Sequence, residues 1–149
     1  MSAKKDKTFL IFECANETLA FAADFVKEVK TSKEIHALPC NKSKEIIMGI
    51  TNINGELVII ANLASILGKT DNSTKTSFIV CEHSNLKIAF LTGKILKMVK
   101  KQNCEIAPAI PEKKSKAQIF DESIFYEEQT IVKSLNAELL LQAVARKYL

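Results

Sequence analysis

The chain has 149 residues, of which 47% are hydrophobic and 26% charged, and its formal net charge is +4. A chain of this length can bury roughly 70% of the surface that its unfolded form exposes, so it can fold without a metal or disulfides. Its two closest glycines, Gly49 and Gly55, are six residues apart, which excludes a glycine-rich loop for binding phosphates. The length and composition predict one globular domain, or two very small subdomains that share a core.

Residues 1–7 are charged and are predicted to form a mobile tail. No apolar run with a small-residue cleavage site follows them, so we expect no signal peptide. The longest strongly apolar stretch, Leu57–Ala61, is too short to span a bilayer. We therefore expect a cytoplasmic protein that does not insert into membranes. The four cysteines are scattered and form no CxxC pair, so reduced thiols are expected, with no bound metal and no cofactor.

The first part of the chain has the pattern of short strands separated by turns. Thr8–Cys14 and Thr18–Ala22 are rich in β-branched and aromatic residues, which predicts a hairpin. Two shorter extended runs follow, at Val26–Thr31 and Ile35–Leu38. Because Val26 and Val29 are an odd number of residues apart, the pattern predicts that they face opposite sides of their strand.

The clearest local signal is the dipeptide at residues 54–55, between the apolar runs Ile50–Ile53 and Glu56–Ala61. Asn54 and Gly55 both accept the positive φ that a type I′ hairpin turn requires. This signal predicts a tight hairpin in the middle of the first half.

A short helix is predicted after this hairpin, with Asn62 as its N-cap, Leu63–Leu67 as its body and Gly68 at its end. The polar run at residues 69–75 then nearly bisects the chain, and the second half resembles the first. Its predicted elements are strands at Thr76–Cys81, Leu86–Thr92 and Ile95–Val99, a loop over residues 100–118 with one short strand, a strand at Gln129–Leu135, and a helix capped by Asn136 that runs through Lys147. The helix is predicted to have one apolar face, formed by Leu140, Leu141, Val144 and Tyr148 at helical spacing.

Many short strands, few helices and no β-α-β alternation favour a mainly β protein built of small barrels. The predicted domain covers residues 8–149 and consists of two pseudo-repeated β subdomains that divide near residues 69–75.

Catalytic constellations are not evident in the sequence. His36 lies in an extended run and His83 in a predicted turn, where histidines are more often surface or core residues than catalysts. Cys104 lies near Lys100 and Lys101, and a reactive thiol needs an electropositive setting of this kind. An enzyme that uses this thiol or a histidine is a weak alternative, and we expect no catalytic residues.

Residues 94–116 hold seven lysines against two glutamates. Such a segment could bind nucleic acid through its phosphates, and a small barrel that binds RNA or single-stranded DNA is the alternative function. The chain has a single arginine, Arg146, although arginine is the side chain best suited to phosphate and base recognition. A solvated lysine-rich loop is therefore the favoured interpretation, without nucleic acid as a partner.

One run resembles the central signature of the CheW-like family. It is GITNINGELVIIANL at residues 49–63, followed by Leu67-Gly68, and the family pattern reads roughly G-(V/I)-x-N-(L/I)-R-G-x-(I/V)-(L/V)-P-(V/I)-(V/I)-D-L, then L-G. Upstream, Phe9–Phe12 is similar to the opening strand and Val26–Val29 to the V-x-E-(I/V) segment. Downstream, residues 106–108 fall where the family has I-x-P.

The resemblance implies a fold of two small five-stranded SH3-like barrels that share a hydrophobic centre, with a short helix after the first hairpin and a C-terminal helix. It implies a non-enzymatic chemotaxis adaptor that couples the cytoplasmic tips of chemoreceptors to the regulatory domain of the histidine kinase CheA. The protein-binding residues that it implies are Val26, Glu28, Val29, Asn52, Asn54 and Gly55.

The sequence also departs from the family pattern. Asn54 stands where the family has an arginine that complements the acid matching Glu28, so we expect Glu28 to lack its positive partner. Asn62-Leu63-Ala64 replaces D-L-R, the family proline aligns near Ile59, and Gly93 falls at a family aspartate. Two plainer interpretations stay open: Asn54-Gly55 as a turn without contacts, and Glu28 as a solvated acid.

Overall fold

The computed structural model describes residues 6–31, 33, 37–39, 46–69, 76–109 and 118–148. These ranges contain twelve strands and two α-helices, α1 (Leu63–Ile66) and α2 (Ala137–Tyr148). The strands are β1 (Lys7–Cys14), β2 (Glu17–Ala22), β3 (Val26–Thr31), β4 (Ala37–Pro39), β5 (Ile47–Ile53), β6 (Glu56–Asn62), β7 (Ser77–His83), β8 (Leu86–Thr92), β9 (Ile95–Lys101), β10 (Ala107–Pro108), β11 (Asp121–Glu127) and β12 (Thr130–Leu135). Residues 1–5 of the predicted tail, His36 and Cys40 lie outside the described residues.

The strands form two six-stranded sheets with the same arrangement. The first sheet has the order β10-β11-β12-β2-β1-β9, and the second has the order β4-β5-β6-β8-β7-β3. In both, one central pairing is parallel, β12 with β2 and β6 with β8, whereas the others are antiparallel. The predicted mainly β fold with two β subdomains is confirmed, with six strands in each sheet instead of five.

The predicted division near residues 69–75 does not separate the two sheets. The order of elements does repeat there, since β1–β6 with α1 is followed by β7–β12 with α2. Each sheet, however, joins the first hairpin of one repeat to the last four strands of the other. The chain changes sheet between β2 and β3 and again between β8 and β9, so the subdomains are not the two halves of the chain.

The two sheets also share a detail of register. In β3, Val26 lies opposite Cys81 and Glu28 opposite Val80, so one extra residue is accommodated as a bulge. In β9, Ile95 lies opposite Phe12 and Lys97 opposite Ile11, with the same extra residue. Glu28 of the second sheet and Lys97 of the first therefore occupy equivalent positions.

Three clusters of buried apolar side chains make the core. The largest lies between the sheets and includes Phe12, Phe21 and Phe90. The ring centroids of Phe12 and Phe21 are 5.1 Å apart, and those of Phe21 and Phe90 are 5.7 Å apart. Helix α2 adds Leu140 and Leu141, which confirms the apolar face predicted for it. Each sheet has a smaller cluster on its other face. The cluster of the first sheet includes Phe9 and Phe125, and that of the second sheet includes Val80. The predicted shared hydrophobic centre is thus present.

Turns and caps follow the sequence signals closely. Asn54 and Gly55 have φ values of 51° and 85°, and Gly68 has a φ of 70° at the end of α1. The Leu139 amide donates a hydrogen bond of 3.1 Å to Oδ1 of Asn136, which confirms the predicted cap of α2. Asn62 occupies the equivalent position before α1 but makes no side-chain cap hydrogen bond, and its buried Oδ1 has no partner among the described residues.

Candidate protein-binding site

Strand β3 is an edge strand of the second sheet, and it carries three of the predicted site residues. Val26 and Val29 were expected on opposite faces, but they lie opposite Cys81 and Ile79, which both belong to the central cluster. The bulge at Lys27 adds one residue between Val26 and Val29, so the two side chains lie on the same face of β3 although their spacing in the chain is odd. Val26 packs against the central cluster, whereas Val29 is 42% exposed.

The β5–β6 turn supplies the other three site residues. Oδ1 of Asn52 accepts a hydrogen bond of 3.0 Å from the Gly55 amide, and such a bond from an asparagine to the backbone stabilises a tight turn. A Cβ atom on Gly55 would meet no atom within 4 Å, so its φ of +85° is what requires a glycine. The turn is therefore rigid and exposed.

The two elements meet through side chains. Nδ2 of Asn54 donates a hydrogen bond of 3.0 Å to Oε2 of Glu28. The Nζ atom of Lys30 lies 3.4 Å from Oε1 of the same carboxylate. The expectation that Glu28 lacks a positive partner is therefore wrong, because Lys30, two residues along the same face of β3, supplies the charge. Sequence reasoning missed Lys30, although its spacing from Glu28 was a usable signal.

Ion pairs surround this contact and leave it with no net charge. Lys87 lies 2.6 Å from Glu56 across β8 and β6, and Lys27 lies 3.2 Å from Glu82 across β3 and β7. The hydrogen bond to Glu56 raises the pKa of Lys87 above its ordinary value, and the charges of Glu82 and Glu28 act in the same direction. The group has three acids and three lysines, which sum to zero: Glu28, Glu56, Glu82, Lys27, Lys30 and Lys87.

Exposed apolar side chains flank the β5–β6 turn. Leu57 is 76% exposed and lies opposite Asn52, and Ile50 is 39% exposed on the same face of β5. Ile59, opposite Ile50, packs against the central cluster. An apolar strip therefore runs from the turn toward the centre of the molecule. Sequence reasoning missed Ile50 and Leu57, because isoleucines occupy both faces of β5 and the pattern does not show which face is buried.

The predicted site residues are thus brought together in part. Asn54 is hydrogen-bonded to Glu28, and the adjacent Gly55 to Asn52, so these four residues lie together. Val29 lies on the opposite face of β3 from Glu28, and Val26 is partly buried. The exposed apolar side chains lie on the face of the sheet toward the central cluster, and the neutral polar rim lies on the other face. Apolar side chains beside polar ones are the composition of a protein-binding surface.

Of the four lysines of residues 94–116 that the structure describes, Lys97 and Lys101 are paired with acids of the same chain. Lys97 lies 2.9 Å from both Glu127 and Glu128, and Lys101 lies 2.8 Å from Glu127. Hydrogen bonds from Lys101 and Lys97 hold the pKa of Glu127 below its ordinary value. Lys101 also lies 5.5 Å from the centre of the Phe125 ring. These two lysines therefore secure β9 against β11, and the lysines at 113, 114 and 116 lie outside the described residues.

The weak enzymatic candidates lie in different sheets. Cys104 follows β9, is exposed, and its Sγ atom is 3.6 Å from Oε1 of Gln102. His83 ends β7, and its Nε2 lies 3.6 Å from a carboxylate oxygen of Glu138. Among the described residues, no three His, Cys, Asp or Glu side chains are grouped so as to hold a metal ion. None of the described helices is both long and apolar enough to cross a membrane.

Comparisons with known proteins agree with this architecture. A family model described as CheW-like domain matches residues 8–145. The chain is 32% identical over 95 residues to a protein of Thermotoga maritima named chemotaxis protein CheW; the match covers 63% of this chain and 62% of that protein, less than two thirds of its length. The crystal structure of the scaffolding protein TtCheW from Thermoanaerobacter tengcongensis has a TM-score of 0.78 and 19% identity, over 88% of this chain and 89% of that one, which shows the same fold. With a family model matched over nearly its whole length, the chain belongs to the CheW-like domain family.

Proposed function

We propose that this protein is a non-enzymatic adaptor of chemotaxis signalling, which couples chemoreceptors to a CheA-type histidine kinase. The observation that carries the proposal is the contact between Glu28 and Asn54. It joins, at one exposed place, the two segments of this chain that match V-x-E-(I/V) and N-(L/I)-R-G of the family pattern. The names of the relatives support it, since one is called a chemotaxis protein and the other a scaffolding protein.

The proposed partners are the regulatory domain of the kinase and the cytoplasmic tip of a receptor, so the proposed location is the cytoplasm. The proposed contact residues are Val26, Glu28, Val29, Asn52, Asn54 and Gly55. Leu57 and Ile50 extend this set, because both are exposed beside the turn. Burial of such side chains supplies roughly 25 cal/mol per Å² of apolar area, and the neutral rim provides specificity through matched polar groups.

An adaptor needs surfaces and no chemistry of its own, and the described residues fit that requirement. The titratable groups near Glu28 are paired with one another: Glu28 with Lys30 within β3, and two further pairs across strands, an arrangement that stabilises a sheet. Two of the three lysines of β9, Lys97 and Lys101, are likewise engaged with carboxylates. These pairings favour protein binding over catalysis and over a nucleic-acid role.

Titration calorimetry tests the proposal, with the kinase regulatory domain and a receptor-tip fragment of the same cell as separate ligands. We expect saturable binding of both at micromolar or lower Kd. Val29→Asp should weaken binding at least about tenfold, because it places a charge in an apolar contact. Leu139→Asp is the matched control, since Leu139 is 39% exposed on α2 and Val29 is 42% exposed on β3.

A cooperatively melting protein that binds neither ligand would contradict the proposal. Retention of RNA or single-stranded DNA that weakens steeply with salt would instead support the nucleic-acid alternative. Binding of the kinase domain alone would restrict the proposal to an array component that does not contact receptors.

A further inference from the structure

We infer that Lys30 is a positioning residue of this surface: its ammonium group orients the Glu28 carboxylate so that Glu28 and Asn54 hold the β5–β6 turn against β3. The part of this inference that concerns partners rests on the proposed function. The part that concerns the orientation of the turn does not.

The two oxygens of Glu28 are used by two different donors. Oε2 accepts the hydrogen bond from Asn54 at 3.0 Å, and Oε1 faces Nζ of Lys30 at 3.4 Å. A carboxylate held at both oxygens has a defined orientation. Because the asparagine amide is neutral, the positive charge at this contact comes from Lys30.

The position of Lys30 distinguishes it from its neighbour Lys27. The bulge at Lys27 places Glu28 and Lys30 opposite Val80 and Phe78, which are buried residues of the second-sheet cluster. The side chain of Lys30 is 26% exposed, whereas that of Lys27 is 57% exposed. Lys27 lies 3.2 Å from Glu82 instead, so of these two lysines Lys30 is the one that contacts Glu28.

The equivalent contact in the first sheet shows what is special in the second. There Lys97, at the position of Glu28, reaches Glu128 at the β11–β12 turn and Glu127 beside it, each at 2.9 Å. That turn is held by charge on both sides. In the second sheet the turn supplies only the neutral amide of Asn54, so its contact with the edge strand depends on the charge that Lys30 brings.

Four variants test the inference: Lys30→Gln, Lys30→Arg, Lys27→Gln, and Lys30→Gln combined with Asn54→Arg. The first readout needs no partner and is the NMR signal of the Asn54 side-chain amide. We expect Lys30→Gln to move this signal toward that of a free asparagine, whereas Lys27→Gln, which removes the same charge from the same strand, leaves it in place.

The second readout is the affinity for the kinase regulatory domain. We expect Lys30→Gln to weaken binding about two- to fivefold, the range of a partly exposed ion pair. Lys30→Arg keeps the positive charge and should bind with the affinity of the natural protein. The double variant should also recover affinity, because an arginine at position 54 donates a charged hydrogen bond to Glu28. Thermal melting of each variant verifies the fold.

An unchanged Asn54 signal in Lys30→Gln would overturn the inference, as would equal effects of Lys30→Gln and Lys27→Gln on binding. If the natural protein binds no kinase domain, the proposed function fails together with the partner role of Lys30. The Asn54 signal then still decides whether Lys30 orients the turn.

Discussion

Asn54 and Glu28 are 26 residues apart in the chain, and their side chains are joined by a hydrogen bond of 3.0 Å. Glu28 lies on β3, at one edge of the second sheet, and Asn54 lies between β5 and β6, near the opposite edge. The sheet therefore curves enough for its two sides to touch through side chains. A partner that binds at this place therefore contacts residues from both sides of the second sheet at once.

Asn54→Arg should change partner affinity more than stability. The substitution adds one positive charge to a group whose six charges now sum to zero, and charge at an interface controls specificity. The turn should still form, at a cost of about 1 kcal/mol in the free energy of unfolding, because arginine adopts a φ of 51° less readily than asparagine does. Calorimetry and urea unfolding measure the two effects. A large loss of stability with unchanged affinity would contradict this expectation.

Gly93→Ala should destabilise the protein by about 1–3 kcal/mol. A Cβ atom at this position would lie 2.9 Å from the carbonyl oxygen of Glu13. The same carbonyl accepts a hydrogen bond of 2.9 Å from the Gly93 amide, and the Glu13 amide donates one of 2.8 Å to the Lys94 carbonyl. Urea unfolding measures the loss. Lys94→Ala, on the exposed neighbour, is the control and should stay within about 0.5 kcal/mol of the natural protein.

The two asparagines before the helices should differ in their contribution to stability. Asn136→Ala removes the hydrogen bond that Oδ1 accepts from Leu139 and should cost about 1 kcal/mol. Asn62→Ala removes a side-chain oxygen that makes no hydrogen bond with any described residue and should cost less than half as much. Equal losses in urea unfolding would show that Asn62 caps α1 in solution.

The Glu127 carboxylate should contribute stability at neutral pH that is lost in acid. Hydrogen bonds from Lys101 and Lys97 lower its pKa in the folded protein. The contribution is therefore complete above the unfolded pKa, about 4.3, and is lost as the pH falls from there through the lower folded pKa.

Glu127→Gln tests this dependence on pH. Its difference in unfolding free energy from the natural protein should be largest at pH 7, at up to about 1 kcal/mol, and should shrink toward pH 3. Glu122→Gln, on the exposed face of the same strand, is the control. A difference that does not change with pH would show that Glu127 acts through packing.

The sequence predicted local features well, because each depends on a few neighbouring residues. The turn at Asn54-Gly55, the cap at Asn136 and the apolar face of α2 all appear where the pattern placed them. Sheet membership could not be predicted in this way. Alternation of apolar residues shows that a segment is a strand, but not which distant strand it pairs with, and the parallel pairing of β12 with β2 joins residues more than a hundred positions apart.

The site was predictable to a similar degree. The residues of the turn and Glu28 are close together as expected, since a family pattern connects them. The bulge at Lys27 reversed the expected orientation of Val26 relative to Val29, and one extra residue in a strand leaves no mark in composition or periodicity. Lys30, by contrast, follows the bulge and lies two residues from Glu28, so its place on the same face could have been predicted from the spacing.

The exchange of hairpins between the two repeats has a consequence for synthesis on the ribosome. The second sheet can form as soon as β8 has emerged from the ribosome. Strand β2 cannot complete its pairing until β12 has been made, more than a hundred residues later. Until then, one side of the first hairpin is an unpaired strand edge of the kind that recruits foreign strands. Pairing over such separations also slows folding. The first hairpin, β1–β2, is therefore the part of this chain most exposed to incorrect strand pairing during synthesis.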